Sequence, residues 1–404
     1  MEVWKGGIPV VIPKASLKSR LLYGLVILAI LLVATQPPSV HASSPTYLFI
    51  DGFESGDFSK WSGTSVSTGG TLEVQTSVVH SGHYAGHSKV NDGGTDDATV
   101  YKIVPDHETL YARAYVYVDV GWVSDKYNID LISVLGGDNQ YMLARAQVIR
   151  DPVLLTYNWR LIYWDRGHWE YPAGAGNVVL RTWHCLEVKV VVGSGDGEAR
   201  LYVDGEEMPT LSVGNLINDD QTSTADTVRL GIGKGYSAFV TPWDAKFDDA
   251  VIADAYIGPI ASIESCDSGG VRRDEFVVGE TIYVMGSDYS VSETYPIYLV
   301  NDVVTWTDGT ILSRVPGTGT SVSSDSSGNI RPTVVWEPDL TPGKYDIVVD
   351  VNRNGKYDSS IDALDDRDIK IYAGFFVVPE YSFGSILPMV GFLAACMFYR
   401  RRKY

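Results

Sequence analysis

Leu110 to Val120 reads LYARAYVYVDV, and its alternation decides the fold class. Leu110, Ala112, Ala114, Val116 and Val118 fall on one side of an extended chain. Tyr111, Arg113, Tyr115, Tyr117 and Asp119 fall on the other, which is the two-residue period of a half-buried strand. Outward from this run, Tyr141 to Ile149 alternates in the same way, with Arg145 and Gln147 facing together. Leu155 to Trp164, His184 to Val192, Ala199 to Val203, Thr227 to Ile232 and Lys246 to Ala253 continue the series. Val203-Asp204-Gly205-Glu206 and Ser194-Gly195-Asp196-Gly197 read as turns between strands. Residues 43–259 show no convincing helical period, and short strands with closely spaced turn signals predict a sandwich or jelly roll.

A second unit spans residues 260–378. Phe276 to Val284 reads as a strand pair around a Gly279-Glu280 turn, and Ile297 to Val304, Thr333 to Trp336 and Tyr345 to Val351 read as further strands. Its length suits a seven-strand sandwich. The predicted fold class is therefore all-β: a jelly-roll sandwich, then a smaller Ig-like β-sandwich, with hydrophobic helices at the two termini. Among 404 residues the 25 tyrosines and 40 glycines agree with strands and tight turns. Cys185, Cys266 and Cys396 are too few and too scattered for a disulfide framework, so packing must carry the cores. A Cys185–Cys266 bridge would have to join the two predicted domains.

The formal net charge is -18. Several of the bases lie at the extreme ends, so the stretch between is more acidic still. A surface of that sign argues against nucleic acid, whose binding relies on Lys and Arg neutralising phosphates. It suits solubility or cation binding.

The ends predict an address. In residues 1–42, Lys14, Lys18 and Arg20 precede the apolar run Leu21 to Ala34, Pro37-Pro38 breaks it, and Val40-His41-Ala42 offers small residues for cleavage. This is the pattern of a signal peptide cut after Ala42; an uncleaved N-terminal anchor is the alternative. Tyr381 to Tyr399 carries no charge and is long enough, as a helix, to cross a hydrocarbon core. Arg400-Arg401-Arg402-Lys403 follows at once and would stay cytoplasmic. Residues 379–404 are thus expected to anchor the chain in the plasma membrane, with both β domains outside. Pro379-Glu380-Tyr381, the span and the basic cluster together resemble archaeal C-terminal sorting signals of the PEF type, although Tyr381 stands where that family has Phe. The resemblance implies a membrane transpeptidase as partner and a lipid-like anchor.

The opening Asp51-Gly52-Phe53-Glu54-Ser55-Gly56-Asp57-Phe58-Ser59-Lys60-Trp61, the run Trp183 to Val190, Leu201 to Gly205 and the closing Phe247-Asp248-Asp249-Ala250-Val251-Ile252 resemble the concanavalin A-like lectin/glucanase superfamily. That superfamily includes laminin-G-like modules and some polysaccharide lyases. The resemblance implies a jelly roll over most of 46–259 and leaves activity open, because the fold hosts enzymes, lectins and adhesion modules. Pyranose rings stack on aromatics and their hydroxyls need polar partners, so Arg113, Tyr115 and Tyr117 with Arg145 and Gln147 are the candidate ligand-binding face, as one concave surface. Sandwich core is the alternative reading of these aromatics. Tyr157, Trp159 and Tyr163 share one side of their strand, Arg160 and Trp164 the other.

No strand of that face carries the paired acids of a glucanase. A lyase would need a base and an arginine, for which Tyr115, Arg113, Arg145 and His168 are available. His80, His83 and His87, in a Gly-rich segment, read as exposed loop histidines, with a metal cluster at their i, i+3, i+7 spacing as the alternative. Glu54, Asp57, Asp248 and Asp249 would supply a structural Ca²⁺ if the terminal strands pair. The second unit holds the sharper motif. Asp350, Asn352, Asn354 and Asp358, with Gly355 at the sharp turn and Lys356 offering its carbonyl, match a calcium loop, although Ile361 stands where the acid at position 12 belongs and Asp362 comes one residue late. The functional expectations are a non-catalytic carbohydrate-binding or adhesion protein whose partner is a polysaccharide or cell-envelope glycan, an anchored polysaccharide lyase or hydrolase, or a structural envelope protein.

Overall fold

The computed structural model describes residues 45–91, 97–120, 128–151, 153–233, 243–337, 341–366 and 373–379. The predicted signal peptide, the apolar C-terminal span and the basic tail lie outside them. No helix among the described residues is long and apolar enough to cross a membrane.

The first sandwich is built from β1 (Tyr47–Asp51), β2 (Gly63–Val66), β3 (Gly70–Gln75), β4 (Ala85–Val90), β5 (Ala98–His107), β6 (Thr109–Val120), β7 (Asn128–Gly136) and β8 (Tyr141–Arg150). It continues with β9 (Tyr157–Asp165), β10 (His168–Glu170), β11 (Trp183–Val191), β12 (Ser194–Val203), β13 (Glu206–Glu207), β14 (Val213–Ile217), β15 (Ala225–Gly233) and β16 (Trp243–Ala253). A nine-stranded sheet runs β13-β12-β11-β6-β16-β4-β3, with β1 on β16 and β14 on β12; a seven-stranded sheet runs β10-β9-β8-β7-β15-β5-β2. Every pairing in both sheets is antiparallel.

The alternation in LYARAYVYVDV has the expected result: Leu110, Ala112, Ala114, Val116 and Val118 all enter the core between the sheets. Ala144, Ala146 and Val148 of β8, and Trp159 and Leu161 of β9, meet them from the other side. The Asp204-Gly205 turn is a two-residue hairpin in which both residues have positive φ, 51° and 86°, the geometry whose twist matches the flanking strands.

The second sandwich comprises β17 (Ser262–Cys266), β18 (Glu275–Val277), β19 (Ile282–Ser287), β20 (Thr294–Asn301), β21 (Ser321–Ser323), β22 (Ile330–Trp336), β23 (Gly343–Val349), β24 (Ala363–Asp365) and β25 (Phe375–Val378). A three-stranded sheet, β17-β19-β22, faces a six-stranded one, β18-β25-β23-β20-β21 with β24 on β23. Its core, from Ala261 to Val377, is separate from that of the first sandwich. Two expectations change here. Among the described residues the strands number nine where seven were expected, because short edge strands flank the long ones. Phe276 to Val284 is no hairpin: β18 pairs parallel with β25 in one sheet while β19 pairs in the other, so the Gly279-Glu280 turn carries the chain between sheets. Cys185 and Cys266 are both free and buried, which rules out the bridge between domains.

Candidate functional site

The residues expected to form one face are divided between two sheets. Arg113, Tyr115 and Tyr117 lie on β6 in the nine-stranded sheet, whereas Arg145 and Gln147 lie on β8 in the seven-stranded sheet. Alternation identified correctly which side of each strand faces away from the core. It carried no information on which sheet each strand joins, and the single concave surface is corrected on that ground.

Arg113 and Tyr115 are covered. Arg113 is 2% exposed and its Nη2 donates to the Ser360 carbonyl oxygen of the second sandwich at 2.6 Å. The Tyr115 hydroxyl accepts the Ile260 N–H at 2.9 Å where the chain leaves the first sandwich, and burial pushes its ionisation well above the usual tyrosine range. A β-bulge in β16 between Asp248 and Val251 re-aims the neighbouring acids, with Asp249 at φ 49°. Asp249 accepts the Ser81 hydroxyl at 2.7 Å and the Ser360 hydroxyl at 3.0 Å, and lies 2.6 Å from His80 Nδ1. The His80 ring stacks on Tyr115 with centroids 3.6 Å apart.

Of the three histidines expected to be exposed in a loop, His83 is so placed; His80 lies in the loop but is half-buried, and His87 is half-buried on a strand. His87 sits on β4 between Glu73 (3.0 Å) and Asp244 (3.1 Å), and the nearby Asp244 carboxylate is the main cause of its raised pKa. The terminal strands β1 and β16 do pair as supposed, but the four nearby acids are engaged separately. Glu54 accepts the His83 and Tyr84 amides, Asp57 the Ser59 amide, and Asp248 the His80 amide. Among the described residues no group of three or more His, Cys, Asp or Glu side chains is arranged to hold a metal ion.

The seven-stranded sheet presents a different outer face. Arg145 Nη1 donates to Asp130 Oδ2 at 2.9 Å, Gln147 Nε2 donates to Asp130 Oδ1, and both Arg160 and Asn128 donate to Gln147 Oε1. Burial raises the Asp130 pKa, and the Arg145 guanidinium partly offsets that rise. The β9–β10 hairpin folds the Trp169 ring against Arg145, 4.9 Å from centroid to guanidinium carbon. Trp164 stacks edge-on against Trp169 at 5.3 Å, and Tyr171 follows, half exposed. Arg145 Nε is buried without a hydrogen-bond partner among the described residues. Sequence reading found Arg145, Gln147, Arg160 and Trp164 by alternation. It missed Asp130 and Trp169, whose part depends on strand register and on the fold of a short hairpin.

The loop from Asp350 to Asp362 is held by its own acids. Asp350 accepts the Asn354 and Gly355 amides, and Asp362 accepts the Val351 and Asp358 amides at 2.8 Å each. Asn352 and Asn354 both donate to Asp358 Oδ2, while Asn354 Oδ1 accepts the Lys356 N–H. The Asp362 pKa is raised by burial and by the charges of Asp350 and Asp358. These oxygen donors are of the kind Ca²⁺ takes, although the three carboxylates as they stand bond to the loop's own amides and are not arranged around a metal ion.

No family model matches the chain, and no curated protein matches it. Among solved structures the chain is similar to the cellulose induced protein Cip1, at 19% identity over 52% of this chain and 99% of that one, with a TM-score of 0.38. It is similar to an endo-beta-1,4-glucuronan lyase from the fungus Trichoderma reesei, at 13% identity over 52% and 97%, TM-score 0.38. The CBM22-1 xylan-binding domain from Paenibacillus barcinonensis Xyn10C aligns at 11% identity over 53% and 99%, TM-score 0.28.

Proposed function

We propose that this chain is a cell-surface protein that binds a polysaccharide, without turning it over, through the outer face of its seven-stranded sheet. The observation that supports this reading best is the Trp169 ring packed on Arg145 beside the Asp130, Gln147 and Arg160 network. An aromatic surface offers a platform for the C–H face of a pyranose, and a charged, hydrogen-bonded array offers partners for its hydroxyls or a carboxylate. Because the array is pre-organised by its own hydrogen bonds, little side-chain entropy is left to lose on binding.

The lyase alternative has less support. Tyr115 and Arg113 lie on the other sheet from Arg145, and His168 is exposed and paired with Glu170 at 2.7 Å. Anchoring by residues 379–404, through a helix or a transpeptidase-attached lipid, belongs to the same proposal. So does a structural Ca²⁺ held by Asp350, Asn352, Asn354, the Lys356 carbonyl, Asp358 and Asp362, which would relieve the repulsion among three carboxylates and stiffen the loop.

The test is a binding and turnover screen of the detergent-solubilised full chain against neutral and uronic polysaccharides, with and without EDTA. Saturable binding without product is expected, and release of unsaturated uronate would overturn the non-catalytic reading. For the metal, EDTA is expected to lower the thermal midpoint of the wild-type chain and to leave that of Asp350→Ala unchanged.

A further inference from the structure

A cleft of about 190 Å³ opens between the two sandwiches, away from the proposed glycan face. Three carboxylates line it: Glu54 from the first sandwich, Asp308 and Asp366 from the second. Glu54 uses Oε1 for the His83 and Tyr84 amides, at 2.9 and 3.0 Å. Asp308 uses Oδ1 for the Ser359 amide at 2.9 Å. The other oxygen of each is outside those backbone bonds and has a base as a looser neighbour: Glu54 Oε2 lies 3.6 Å from Nδ1 of His83, which also lines the cleft, and Asp308 Oδ2 lies 3.9 Å from Lys60 Nζ.

Trp306 and Tyr357 form the aromatic part of the wall, their centroids 5.1 Å apart, with Trp306 Nε1 fixed by Asp346 at 3.0 Å. Ser359 also lines the cleft. It is 6% exposed, and its hydroxyl has no hydrogen-bond partner among the described residues. A buried hydroxyl left unpaired is costly unless something supplies its bond.

These walls select a charge and a size. Acids outnumber bases at the cleft, and Lys60 Nζ lies at its edge, 3.9 Å from Asp308 and 3.2 Å from Asp51, as an ammonium drawn to the same field. Aromatic rings attract cations through their negative faces. The acids are not arranged to close around a metal ion. The volume falls below the ~300–1,000 Å³ of clefts for drug-sized ligands. We propose that the cleft binds a compact organic cation, a primary ammonium carried on a body no larger than one sugar ring, with the Ser359 hydroxyl as an additional partner.

Calorimetric titration of the full-length chain at neutral pH tests this, using glucosamine and putrescine against the neutral N-acetylglucosamine and 1,4-butanediol. At least one amine should bind saturably at one site, and neither neutral analogue should. Glu54→Gln and Asp308→Asn each keep an oxygen for the backbone amides while removing the charge. Each should weaken amine binding about tenfold, ~1.4 kcal/mol, while Glu206→Gln on the exposed hairpin should not. Unchanged thermal midpoints would show that the two cleft variants fold. Equal binding of the neutral analogues, wild-type affinity in both cleft variants, or absence of saturable amine binding would each overturn the proposal.

Discussion

Arg113 and Arg145 both project outward from long strands of the first sandwich, one from each sheet, yet their surroundings have diverged. Arg113 is capped by the second sandwich and spends a hydrogen bond on the Ser360 carbonyl. Arg145 is bound to Asp130 on its own sheet and, among the described residues, is covered by the Trp169 hairpin. One outer face has become an internal joint and the other remains a surface. The lesson is that an aromatic and basic strand face is equally fit for a ligand or for a neighbouring domain, and only the partner's position separates the two.

The comparison can be broken most directly at Arg113. Arg113→Ala removes a buried charge opposite Glu187, whose pKa burial has already raised to about 7. Chemical denaturation is expected to show a loss of about 3 kcal/mol, with polysaccharide binding intact. If binding vanished while stability held, the joint and the surface would have to be exchanged.

Gly52→Ala probes the same joint from its other side. A Cβ at Gly52 would meet the Ser359 and Ser360 hydroxyl oxygens at 2.8 and 2.9 Å. We expect a cost of about 1–3 kcal/mol from overpacking and a loss of concerted unfolding of the two sandwiches. On the open face, Trp169→Ala should weaken polysaccharide binding about tenfold and leave the denaturation midpoint nearly unchanged.

The smallest effect concerns pH. The His87 link ties β3, β4 and β16 on the nine-stranded sheet, and its folded pKa lies above the usual value of 6.5. Its stabilisation is therefore full below that value and lost as pH rises through the folded pKa. His87→Gln should flatten the stability profile above pH 6.5 by about 1 kcal/mol or less.

Much of the fold was legible because alternation is a local signal. Leu110 to Val118 and the Asp204-Gly205 turn are fixed by neighbours in sequence. The assignment of strands to sheets is not local. β6 pairs with β11 and β16, far along the chain, and nothing in LYARAYVYVDV names those partners. The same limit explains the burial of His80 and His87: a Gly-rich segment suggested exposure, while their acids come from β3 and β16. The Asp350 loop was legible as a motif because its donors are contiguous. Its docking against Gly52 and Asp249 was not, since that contact joins residues far apart in the chain.

Cys185 and Cys266 lie in different sandwiches, 3% and 0% exposed. Burial pushes the Cys185 thiol up to about 12 and the Cys266 thiol up to about 11. Cys185 pairs in register with Tyr115 on the outer face of its sheet, outside the core between the sheets, so its sulfur meets a disulfide reagent once the cover over that face lifts. In a chain with Cys396 replaced, the Cys185 labelling rate therefore acts as a clock for the joint. Labelling no faster than global unfolding would mean that the joint opens only with the whole molecule, and faster labelling would time the joint on its own.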